Sequence, residues 1–347
     1  MNNPVIKTSV TIGVTTYDRK QLLAESVRSI LDQTYDDFRL VISNDNPDRY
    51  LTMSDLDIPN DKRVQIFNQP KNLGEIRNLN WLLNHASTPY FTWLADDDLL
   101  HPRFLELMYG ELKLNPNCKV AYSKYDFGIK PSQLFYETLP IKSFTELSAE
   151  DFLVRYANRT LDIIGCYGLF DIEVLRAQGG FRQLGTGHSP GSDTLIPVLL
   201  SSENMIHYID ESLVFLRTHD DSTTWTSADL SSYVTAESDF IVFSSEVIES
   251  LPQEFRGDIY SGFQYWFQDN HAAVICRTTS LNFFTFFKYF LTSERNNFYI
   301  FRSYKLGLMR NLKFCCRFVR VYILKSMQNW FFPKFRNTVK SIFRQKS

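Results

Sequence analysis

The chain lacks any run of about 18 uninterrupted apolar residues, the length a membrane-spanning helix needs. Its opening residues, MNNPVIKTSV, carry no charged leader and no sustained apolar core, so neither a membrane span nor a signal peptide is expected. Five cysteines, Cys118, Cys166, Cys276, Cys315 and Cys316, are odd in number and form no CxxC pair. A zinc site and a disulfide framework are therefore not indicated, and a reducing cytoplasm fits best. No internal repeat is present. Acids are almost missing from residues 281–347, where fourteen Lys and Arg face Glu294 alone. The formal net charge of -2 thus hides +13 on this tail and -15 on the 280 residues before it. An acidic body with a basic, aromatic-rich tail implies two surfaces with different partners.

What is present is an ample core: 347 residues, 44% of them apolar, enough for one large α/β domain with an appendage or for two domains. Ser9–Thr15 (SVTIGVT) is a β-branched run, and the segment after it sets Leu23, Val27, Ile30 and Leu31 on one helical face. The pattern then repeats. Strands are expected at Phe38–Ser43, Val64–Phe67, Tyr90–Ala95 and Lys119–Ser123, with helices at Gly74–Ala86 and Pro102–Leu114. Strands alternating with helices predict a mainly parallel, doubly wound α/β sheet. Beyond residue 125 the signals thin: helices are expected at Ala149–Asn158, Asp193–Leu200, Ser231–Leu251 and Asp258–Cys276, and a glycine-rich loop at Gly179–Gly191.

The most telling stretch is YFTWLADDDLLHP, an apolar run ending in Asp96, Asp97 and Asp98. Three adjacent carboxylates repel one another unless they are solvated or share positive charge. A hard divalent ion is the natural partner; a solvated loop in which one Asp caps the next helix is the plainer alternative. Ligands of open α/β sheets bind beyond the carboxyl ends of the strands. Four polar clusters fall there: Thr15-Thr16-Tyr17, Asn44-Asp45-Asn46, Lys71-Asn72-Leu73-Gly74 with Arg77-Asn78, and the aspartate triplet.

In this order, with SVRSILDQTYDDFRLVISND between the first two, the clusters resemble the family 2, GT-A type glycosyltransferases, of the kind that builds bacterial surface polysaccharide. The resemblance runs from about Val10 to Ser222. It implies a GT-A fold and a nucleotide-sugar, a UDP-sugar by preference, lying over the strand ends. Thr15 and Tyr17 match positions lining the base, Asp45 the acid that bonds the uracil or ribose, and Arg77 a basic residue near the diphosphate. A guanidinium suits phosphate because it donates in a fixed fork. Asp96 is implied near the ribose or the metal's waters, and Asp97 or Asp98 as direct ligand of Mg2+ or Mn2+, the two not separable by sequence. His219, in Arg217-Thr218-His219, resembles a histidine that meets the metal or diphosphate. Asp193, after Gly179-Gly180-Phe181, matches the catalytic base of an inverting reaction; a helix cap is its plainer role. The sequence departs from the family at Asn44, Pro47 and Ser192, where many members have Asp, Ser and Glu.

Expected domains are a catalytic domain at 1–225, a helical extension at 226–280 and an amphipathic tail at 281–347. In that tail Arg310, Lys313, Arg317 and Arg320 form one helical stripe opposite Leu312, Cys315, Val319 and Ile323. This suits an anionic membrane surface, with nucleic acid disfavoured for want of a motif. The expected function is transfer of a sugar to a hydroxyl of a lipid-linked glycan at the cytoplasmic face of the membrane. Two alternatives stand beside it. A sugar-phosphate nucleotidyltransferase lacks its N-terminal glycine-rich triphosphate loop here, and a non-catalytic nucleotide- or glycan-binding scaffold has no need of the acids.

Overall fold

The computed structural model describes residues 8–58, 60–136, 143–187, 189–219 and 230–278; Ser222 and the basic tail lie outside them. β1 (Val10–Thr16) is buried along nearly its whole length, as its β-branched composition requires of a central strand. It pairs in parallel with β2 (Phe38–Asn44) on one side and β4 (Tyr90–Ala95) on the other, and β2 pairs in parallel with β3 (Val64–Asn68). Helix α1 (Lys20–Leu31) links β1 to β2, and α2 (Glu75–His85) links β3 to β4. Leu23, Val27 and Ile30 of α1 bury against Val10, Ile12 and Val14, together with Phe104 and Met108 of α3 (Phe104–Leu114). Helix α2 lies against β1 as well.

The second half of the sheet is mixed. The strands β5 (Leu99–Leu100), β6 (Val120–Gly128), β7 (Thr145–Leu147), β8 (Leu169–Asp171) and β9 (Ile206–Arg217) complete a nine-stranded sheet of order β3-β2-β1-β4-β8-β6-β9-β5, with β7 on β9. The long ladders are parallel, β6 with β9 included, whereas the antiparallel pairings join two or three residues each. The mainly parallel sheet expected from the sequence is therefore present.

Helices α4 (Ala149–Ala157), α5 (Ile172–Ala177), α6 (Ser192–Ser201), α7 (Leu230–Ser250) and α8 (Gln253–Thr278) follow. The first compact unit includes α7 from Ser231 and α8 as far as Phe263, so it runs well past residue 225. Asp239 of α7 accepts from the Gly185 N–H at 2.7 Å, and the Phe263 ring packs on Phe240 and Tyr156. Gln264–Thr278 falls in the second unit. No described helix is long and apolar enough to cross a membrane.

Candidate active site

Parallel register brings the ends of β1, β2 and β4 side by side: Thr16 lies opposite Asn44, and Thr15 opposite Ala95. The loops leaving these ends form a crevice. Asp45, just past β2, accepts from the Leu73 N–H at 2.7 Å and the Gly74 N–H at 3.0 Å. Gly74 has φ +80, a conformation that costs glycine nothing and lets the chain turn into α2. Asp45 thus ties two crevice loops together. Asn44 is structural, donating to the Asn68 side chain and the Arg49 carbonyl. Asn78 is buried against Ser43, whose hydroxyl donates to it at 2.6 Å. Thr15 is half-buried, Tyr17 is exposed, and exposed Arg77 folds back on its own helix to donate to the Leu73 carbonyl.

The three aspartates have three different surroundings. Asp96 accepts from the Thr16 hydroxyl at 2.6 Å and from Arg19 Nη1 at 3.3 Å. Burial pushes its carboxyl up to about 6, with Thr16 and Arg19 opposing. Asp97 Oδ2 accepts from the same Arg19 nitrogen at 2.9 Å and lies 2.9 Å from His219 Nε2. Its other oxygen has no partner among the described residues. Asp98 is buried, bonded through one oxygen to the Tyr167 hydroxyl and through the other to the Arg217 N–H at 2.8 Å. Burial and the charge of Asp97 raise it to about 7. Asp98, expected with Asp97 as a candidate metal ligand, here has both oxygens bonded and anchors this loop to Tyr167 and to the end of β9. Asp97 with His219 is the pair left facing the crevice.

Asp193 sits in the first turn of α6, half-buried, and burial raises its carboxyl above the ordinary range while the N–H and hydroxyl of Thr194 oppose that rise. The plainer cap role does not describe it, since the residue at the helix cap is Gly191. A short segment that the sequence did not flag joins it to the triplet. Gly165 lies so close under the Asp193 carbonyl that a Cβ there would come within 1.8 Å of the oxygen, and two residues on, Tyr167 holds Asp98. Gly165 is itself fixed by the buried Tyr122, whose hydroxyl donates to its carbonyl at 3.0 Å. Pro197, lacking an N–H, cannot take up the Asp193 carbonyl in the usual helical way and packs on the same spot. Gly165→Ala is therefore expected to destabilise the protein by about 3 kcal/mol, the upper end of ordinary overpacking, because backbone must move. A thermal melt checks this, and an unchanged melting temperature contradicts it.

Two further groups in the crevice escaped the sequence reading. Arg19 bridges Asp96 and Asp97, and Glu75 opens α2. Glu75 is reached by water yet crowded by protein, which pushes it up to about 7, with Asp193 and Asp97 adding and Arg19 opposing. Glu75 thus feels both Asp193 and Asp97, and Arg19 acts on Glu75 as well as on Asp96 and Asp97.

A crevice of this kind at parallel strand ends belongs to an α/β domain of GT-A fold. Residues 11–177 match the model of Glycosyl transferase family 2, and this part of the chain belongs to that family. Among curated relatives, an uncharacterized glycosyltransferase of Haemophilus influenzae is 34% identical over 108 residues, covering 30% of this chain and 33% of that protein. A GalNAc(5)-diNAcBac-PP-undecaprenol beta-1,3-glucosyltransferase of Campylobacter jejuni is 31% identical over 93 residues, covering 26% of this chain and 30% of that protein. The matches span about a third to a half of the curated relatives' own length. Among solved structures, S. aureus TarS 1-349 in complex with UDP-GlcNAc superposes with a TM-score of 0.56 at 14% identity, covering 87% of this chain and 77% of that one. At that identity the likeness speaks for the fold.

Proposed function

We propose that the chain is a metal-dependent, inverting glycosyltransferase that moves a sugar from a nucleotide donor, by preference a UDP-sugar, to a hydroxyl of a lipid-linked glycan. The observation that carries this reading is the aspartate triplet after β4, with Arg19 bridging Asp96 and Asp97 and His219 beside Asp97, joined through the Gly165–Tyr167 segment to Asp193 at the start of α6. The UDP-GlcNAc bound to a protein of the same fold supports the donor class. The undecaprenol-linked substrate in the name of the Campylobacter relative supports the acceptor class.

Among the described residues no three His, Cys, Asp or Glu side chains gather into a metal cage; the Asp97 carboxylate and the His219 ring nitrogen near it would hold a hard dication that takes its remaining ligands from the diphosphate and water. Mg2+ or Mn2+ bound there would offset negative charge gathering on the departing nucleoside diphosphate. Asp193 takes the proton of the acceptor hydroxyl, and its burial-raised basicity suits that task. In this reading Asp45, Thr15 and Tyr17 would meet the base, Arg77 a phosphate and Asp96 the ribose. The test is release of UDP from UDP-sugars with Mn2+ and a prenyl-diphosphate glycan. Binding without turnover on any donor would move weight to a non-catalytic scaffold.

The basic tail is assigned to the inner face of the cell membrane, where a lipid-linked acceptor would be met. Full-length protein is expected to sediment with phosphatidylglycerol vesicles in a salt-sensitive way. Changing Arg310, Lys313, Arg317 and Arg320 to Gln removes about 1 kcal/mol per base near the surface, a loss on the order of a hundredfold or more in partition. Unchanged sedimentation sinks the membrane assignment.

A further inference from the structure

Carboxylates so closely spaced call for a cation, and this chain provides one of its own. Arg19 is the residue before α1, on a turn where Asp18 takes a left-handed φ of 63 and ion-pairs with Arg49. That pair pins the turn from outside the crevice. From it Arg19 sends one nitrogen, Nη1, to both Asp96 and Asp97, at 3.3 and 2.9 Å. Asp97 Oδ2, the atom it holds, is the one beside His219 Nε2. A metal held by Asp97 and His219 would therefore share the Asp97 carboxylate with the guanidinium.

Two cations on one carboxylate repel strongly at such range. A guanidinium is also drawn to diphosphate, which offers the paired oxygens that its planar fork matches. We infer that Arg19 is an exchangeable internal cation: it neutralises the acidic crevice before ligand arrives and yields Asp97 when a diphosphate draws it away. The metal and the nucleotide then bind cooperatively, because each removes what opposes the other, and by linkage the coupling is the same in both directions. The inference rests on the transferase reading, but on its metal and nucleotide binding rather than on turnover.

The test is titration of Mn2+ by electron paramagnetic resonance on full-length protein, with and without UDP. In Arg19→Gln, Mn2+ alone is expected to bind at least about tenfold tighter than in the unaltered chain, and the gain in Mn2+ affinity on adding UDP should shrink by about the same factor. Arg19→Lys keeps the charge and should stay within about threefold of the unaltered chain. A thermal melt adds a second readout: without metal, Arg19→Gln melts lower because its carboxylates have lost their partner, and Mn2+ raises it more than it raises the unaltered chain. If Mn2+ alone binds Arg19→Gln no tighter while Mn2+ and UDP still bind together, the exchange idea is overturned and the transferase reading stands. If the unaltered chain binds no UDP even with Mn2+, the transferase reading falls, and the exchange idea with it.

Discussion

Asp193→Asn is expected to lower kcat for sugar transfer by about a thousandfold, within the range that a positioned general base contributes, while UDP affinity in the presence of Mn2+ stays within about twofold. Asparagine keeps the shape of the side chain and an oxygen that can accept from Thr194, and it leaves untouched the close approach of Gly165 to the backbone carbonyl. The variant should therefore fold and bind donor as before, losing only the group that receives the proton. The pH dependence gives an independent check. A base must be ionised to act, and burial raises this carboxyl above the usual aspartate range. Activity should accordingly fall as pH drops through that raised value, at a higher pH than an exposed aspartate would give, and the residual activity of Asp193→Asn should lose that limb. Full turnover in the variant removes Asp193 from the mechanism.

Much of the first 125 residues was legible because the strands there are buried on both faces and the helices carry one apolar stripe each. The segments expected at Phe38–Ser43 and Tyr90–Ala95 match β2 and β4 to within a residue. What escaped was short or interrupted. β8 has three residues and β5 two, too few for any period to register. β9 is twelve residues long, but Asp210, Glu211 and Ser212 break its apolar run where its pairing with β6 shifts register. The aspartates and Asp193 could be found because their types announce chemistry at strand and helix ends. Arg19 could not: a charged residue in a turn is ordinarily solvated, and its bridging role exists only once β1 and β4 lie side by side. Tyr167 and Gly165 escaped for the same reason, since each matters through one contact made across the fold. Nor could sequence rank Asp97 against Asp98, because adjacent residues leave a turn in different directions, and only backbone geometry says which one meets Tyr167.

Asp97→Asn is expected to abolish the metal-linked part of nucleotide binding. The substitution keeps one oxygen but removes the charge, so a single neutral oxygen must serve where the carboxylate offered one oxygen to Arg19 and His219 and a second one free for a ligand. A hundredfold loss of affinity for UDP with Mn2+ corresponds to about 2.7 kcal/mol less stabilisation at a ligand concentration that saturates the unaltered chain. The thermal shift caused by UDP with Mn2+ should then nearly vanish, while the melting temperature without ligand changes little, because the pairing lost with Arg19 and His219 is offset by relief of repulsion on buried Asp96 and Asp98. Asp98→Asn should behave in the opposite way. Its carboxylate holds the Tyr167 hydroxyl and the Arg217 N–H in a buried place, and an amide can satisfy only part of that pair, at a cost of about 1–3 kcal/mol to the unliganded protein. The increment gained from UDP with Mn2+ should survive on that lower baseline. If the two variants exchange these behaviours, the ligand is Asp98, and metal binding must then break its bond to Tyr167, which would make the Gly165–Tyr167 segment a moving part of the site and not its fixed floor.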